Sequence, residues 1–69
     1  MIEENDIIVT NKQINELIKK NTEGVVLSVY NNGEAFLVEF LDSNGDTIGD
    51  GMQTVSKDDI ELLIKVQKR

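Results

Sequence analysis

Two periods run through this chain, one of strands and one of short helical turns. Asp6–Thr10 (Asp-Ile-Ile-Val-Thr) is short and β-branched and predicts a strand. The period then changes. Ile14, Leu17 and Ile18 fall at i, i+3 and i+4, so Asn11–Lys20 is expected to form one or two helical turns over an open edge of the core. Asn11 is placed to cap that segment, and Glu16 with Lys20 to add an i,i+4 pair. Gly24 opens a second strand, Val25–Tyr30. Asn31-Asn32-Gly33 is a strong hairpin signal, because a type I′ turn needs φ > 0 at both central positions. The return strand is Ala35–Leu41, with Phe36, Val38 and Phe40 on one face, expected to be the core face. Leu37 and Glu39 point the other way.

A second turn, Asp42-Ser43-Asn44-Gly45-Asp46, leads to Thr47–Thr54. Gly49 and Gly51 interrupt that strand, and two interior glycines predict a bulge or a sharp bend. Ser56-Lys57-Asp58-Asp59 resembles a capping box, with Val55 and Ile60 placed as a hydrophobic staple. A brief helical turn is expected there. The end of the chain supports two readings: Ile60, Leu63 and Ile64 fit a helix, while Leu62, Ile64 and Val66 fit a strand. A short turn followed by a strand is favoured for 61–67. About five short strands in a strongly bent sheet remove their edges by closing. The expected fold is mainly β, a small SH3-like barrel with a short helical segment after the first strand and a helical turn before the last.

Composition narrows the function. With 69 residues there is room for one domain over 1–69, with 1–5 and 67–69 expected as loose ends. A core this small sits near the lower limit for folding alone. Neither Cys nor His occurs, so there is no disulfide, no Cys/His zinc site and no Ser-His-Asp or Cys-His constellation. The absence of Cys fits a reducing compartment. The acidic start Met1-Ile2-Glu3-Glu4-Asn5-Asp6 lacks the regions of a signal peptide, and no apolar run approaches a membrane span, so a cytoplasmic protein is expected.

Thirteen acidic residues against seven basic ones give a net charge of −6. The one basic cluster is Lys65, Lys68 and Arg69. This balance disfavours nucleic acid and anionic membranes and favours a basic protein partner. The carboxylates lie in turns and at strand ends, where nothing suggests the desolvation that acid–base catalysis needs, so the chain is not expected to be an enzyme. Asp42–Asp46 opens like a calcium loop. The pattern fails at Thr47, where Gly is required, and at Gln53, where a bidentate Glu belongs. Asx residues around Gly are ordinary turn chemistry, and no metal or cofactor is expected. Gly49-Asp50-Gly51 is too short and too acidic to cradle a phosphate. Tyr30 reads as a strand end with its hydroxyl in water.

The order Asp6-x-Ile8, Gly24-x-Val26, Tyr30-x-x-Gly33-x-x-Phe36-x-Val38-Glu39-Phe40, then Gly45-Asp46-Thr47 and a short turn into Leu62, resembles the small bacterial proteins grouped as domain of unknown function 4926. The resemblance covers about residues 6 to 62. The chain departs from it at Asn21-Thr22-Glu23 and at Ile48-Gly49-Asp50-Gly51. The resemblance implies an SH3-like barrel without catalytic residues, and an immunity or antitoxin role that neutralises a basic toxin or effector domain. The candidate partner-binding residues are Glu34, Leu37, Glu39, Asp42, Asp46 and Asp50. The alternative is an SH3-like accessory module acting through homo- or hetero-oligomers, with the edge of the weak fourth strand as its contact.

Overall fold

The computed structural model describes residues 1–66. Five strands form one antiparallel sheet: β1 (Ile7–Thr10), β2 (Glu23–Tyr30), β3 (Ala35–Leu41), β4 (Thr47–Ser56) and β5 (Ile60–Ile64). Their order across the sheet is β4-β3-β2-β1-β5. The two edges are therefore consecutive in sequence, joined only by the 3-10 turn Lys57–Asp59. Laid flat, five strands about 4.8 Å apart would hold those edges about 19 Å apart. A 3-10 turn rises only about 2 Å per residue. The sheet has to roll up to satisfy the connection.

Three irregularities let it roll. The β2–β3 register skips Leu27 between Val26 and Ser28. The β3–β4 register jumps from Glu39↔Met52 to Leu41↔Thr47, which throws Ile48–Gly51 into a wide bulge. The β1–β5 register skips Leu63. Gly49 and Gly51 both have positive φ, at 65° and 103°, so the interruption expected here is a bulge. The rolled sheet nevertheless stays open. No ladder joins β4 to β5, and the closed barrel expected from the sequence is not formed. β5, which borders the open seam, has only five residues.

The inner face holds the core: Ile8, Val26, Phe36, Val38, Phe40, Val55 and Ile60, joined by Ile18 from the β1–β2 loop. Phe36, Val38 and Phe40 thus face inward as their period-two spacing requires. Gly24 sits opposite both Ile8 and Phe40. A Cβ there would lie 2.5 Å from Val38 Cγ1 and 3.0 Å from Phe40 Cδ1. Only glycine lets the phenylalanine ring settle onto the β2 backbone.

The helix expected over Asn11–Lys20 is absent. The loop is closed at its base by Thr10, whose buried hydroxyl donates to Lys19 O (2.8 Å) and accepts from Thr22 N–H (2.9 Å). At its tip, Asn15 Oδ1 accepts from the N–H groups of Leu17 and Ile18, each at 2.8 Å. Ile14 N–H donates to Ile18 O, the reverse of a helical bond. Asn side chains that satisfy nearby backbone compete with helix in this way. Asn11 caps nothing; its side chain donates to Asp58 O. Of the expected helical face, Ile18 is buried, Ile14 is half-buried and Leu17 is exposed.

The capping box also fails to form. Ser56 Oγ accepts from Asp58 N–H (3.1 Å), and Asp59 pairs with Lys12 (3.2 Å), leaving a lone 3-10 turn. The first hairpin loop is a 3-10 turn, Asn31–Gly33, with three successive positive φ values instead of a two-residue I′ turn. Its Asn and Gly residues tolerate that conformation. At the chain end, Ile60–Ile64 resolves as strand. Residue 67 of the ambiguous segment, with the rest of the 67–69 tail, lies outside the described residues.

Gly24→Ala is expected to cost about 2 kcal/mol, as overpacking of a filled core does. Urea unfolding measures it, and unchanged stability would refute the close approach.

Candidate functional site

Two polar features stand out among the described residues, and they differ in kind. The first is Asp6, which is fully buried. Its Oδ2 accepts from Lys65 Nζ (2.7 Å) and Glu3 N–H (2.8 Å), and its Oδ1 from Val66 N–H (2.9 Å). Lys65 Nζ also donates to Met1 O (2.8 Å) and Glu3 Oε1 (3.3 Å). Nothing in the sequence ties residues 1–5 to the fold, and this cluster clasps them to the end of β5. Burial alone pushes the Asp6 carboxyl up. The Lys65 hydrogen bond, with those from Val66 and Glu3, outweighs burial and lowers it from 3.8 to about 2. Lys65 is raised in turn, chiefly by its bond to Asp6. A carboxylate held so firmly ionised makes a poor proton shuttle at neutral pH. Asp6 is a structural clasp.

The second feature is the acidic end of the sheet. Asp42 Oδ1 accepts from the N–H groups of Asn44 and Asp46, each at 2.9 Å, and Gly45 N–H donates to Asp42 O (2.9 Å). Gly45, at φ 84°, completes the turn. Asp46 follows it, exposed. Glu39 is half-buried on the outer face and accepts from Thr47 Oγ1 (2.6 Å). It lies in a cross-sheet row of Ile64, Ile7, Val25, Glu39 and Met52. Asp50 is exposed on the β4 bulge, opposite the Glu39–Leu41 stretch.

Four of the six candidate residues, Glu39, Asp42, Asp46 and Asp50, thus gather at one end of β3 and β4. Leu37 lies farther along the same outer face, beside Ser28 and Thr54. Glu34 does not join them. It sits at the opposite end of β3, about 20 Å away along the strand, and is paired with Lys57 at 3.1 Å.

A shallow depression of about 540 Å³ opens at the acidic end, lined by Asn21, Thr22, Glu23, Leu41, Asp42, Ser43, Gly45 and Ile48. Only Asp42 of the predicted set lines it. Glu23 was missed because its placement follows from the pairing Glu23↔Leu41, which no local pattern announces. No group of three acidic residues is arranged to hold a metal ion among the described residues. No helix there is long and apolar enough to cross a membrane. Comparison with protein-family models, curated proteins and solved structures finds no match.

The clasp makes stability depend on pH. Folding lowers the Asp6 pKa, so its contribution is complete above about 3.8 and is lost as pH falls through about 2. Asp6→Asn is expected to remove about 2 kcal/mol at neutral pH, the scale of a charge-assisted bond, and to flatten the acid limb of the stability curve. Unfolding by denaturant across pH measures both effects. Asp42→Ala, which frees two turn N–H groups to water, should cost only about 1 kcal/mol. Thermal unfolding with retained strand circular dichroism checks it.

Proposed function

We propose that this chain is a small protein-binding domain whose acidic end docks a basic partner, in the manner of a bacterial immunity or antitoxin protein that neutralises a toxin domain. The observation that carries this reading is the depression lined by the acids Glu23 and Asp42 together with Leu41, Ile48 and the polar Asn21, Thr22 and Ser43. Such a surface suits a Lys or Arg side chain, with its stem on the aliphatic residues and its charge at the rim. Asp46, Asp50 and the net charge of −6 extend the attraction beyond the depression. The strand order, with a 3-10 turn between the last two strands, supports an SH3-like arrangement of strands in a rolled but open sheet. The resemblance to domain of unknown function 4926 supports the immunity role by association. A cytoplasmic setting fits the cysteine-free composition.

The test is co-expression with the product of the neighbouring gene. That product should be harmful alone and harmless with this chain, and a product harmless by itself would sink the immunity reading. With the pair in hand, Asp46→Lys/Asp50→Lys should slow association about tenfold at low salt while changing dissociation little. Stopped-flow binding reads the two rates separately.

A further inference from the structure

An antiparallel sheet that packs one face on a core turns polar side chains to water on the other. The outer face of this sheet departs from that rule. Ile7, Val9, Val25, Leu37 and Leu41 alternate with the buried residues of β1, β2 and β3 and point outward. They are half-buried and stand outside the core cluster. Met52 and Ile64 carry the apolar surface on to the two edges, where they are 55% and 56% exposed. The charges paired into this face are all of one sign. Glu61 and Glu23 share a row with Val9 and Leu41, and Glu39 sits between Val25 and Met52 in the next row. Among the described residues none of these three glutamates is in an ion pair, while Lys12, Lys57 and Lys65 are paired with acids elsewhere.

We propose that the outer face seats a basic amphipathic helix of a partner protein, with the apolar stripe of the helix on Ile7, Val25 and Leu41 and its Lys or Arg side chains on Glu23, Glu39 and Glu61. This rests on the reading of the chain as a domain that binds a basic protein, and it adds the surface and the kind of segment. Charge chooses the occupant. A second copy would set these carboxylates against their own kind, and an anionic membrane or a nucleic acid would be repelled by them. Backbone bonding chooses the helix. β1, β2 and β3 each have a strand on both sides, so their backbone groups are taken up by the ladders. An extended segment laid over them would bury N–H and C=O groups without partners, whereas a helix bonds its own. Glu61 and Glu23 lie two strands apart, about 10 Å, which is about the rise of seven helical residues. The face is also continuous with the acidic depression, because Glu23 and Leu41 belong to both.

Titration of the intact, methyl-labelled chain with a synthetic Leu/Lys peptide of helical period tests this by nuclear magnetic resonance. A peptide of the same composition in scrambled order is the control. The methyl groups of Ile7, Val25 and Leu41 should shift, while those of Ile8, Val26 and Val38 on the inner face stay in place. The scrambled peptide should bind at least about tenfold more weakly, since its apolar and basic groups no longer meet the face together. Met52→Lys and Glu39→Lys should each keep strand circular dichroism and weaken binding about tenfold. The methyl shifts on the unmodified chain stand even where a variant fails to fold. Shifts confined to Leu41 and the depression, equal binding of the scrambled peptide, or an affinity that neither substitution changes would overturn the inference. Co-expression with the neighbouring gene product keeps the two ideas apart: a chain that protects, and still protects with Met52→Lys and Glu39→Lys in place, sinks the outer-face helix and spares the immunity reading.

Discussion

The connection from β4 to β5 governs this molecule. Three residues join strands at opposite edges of a five-stranded sheet, and every other feature answers to the curvature that this imposes. A rolled sheet this small brings its inner face against itself, so side chains on neighbouring strands crowd at the axis. Gly24 is the place where crowding leaves no room for a Cβ. The skipped residues Leu27 and Leu63 and the Ile48–Gly51 bulge bend strands that would otherwise run straight. Curvature, close packing and broken register are one constraint seen at different positions.

The roll is incomplete, and the clasp around Asp6 shows how the fold manages the open side. β1 is flanked by β2 and the short β5, and the ladder between β1 and β5 slips at Leu63. A buried carboxylate that accepts from Lys65, Glu3 and Val66 ties the beginning of β1 to the end of β5 by hydrogen bonds beyond the ladder. Burying a charge is costly, and Asp6 is tolerated because each oxygen has a donor.

The sequence made the strands and turns legible because both are local. Period-two spacing placed Phe36, Val38 and Phe40 inside, and Asn-Gly pairs marked both hairpins. It misled where local pattern and distant bonding disagreed. Ile14, Leu17 and Ile18 have helical spacing, but Thr10 and Thr22 claim the Lys19 carbonyl and Asn15 claims the local N–H groups. The need to hide edges predicts a closed barrel, but no ladder joins β4 to β5 and the sheet stays open. The acidic site was half legible. Asp42 and Asp46 lie in a recognisable turn. Glu34 is adjacent in sequence to the same strand but does not join them, since a strand carries its two ends about 20 Å apart. Glu23 and the Asp6–Lys65 clasp depend on pairings between distant segments and leave no mark in any short window.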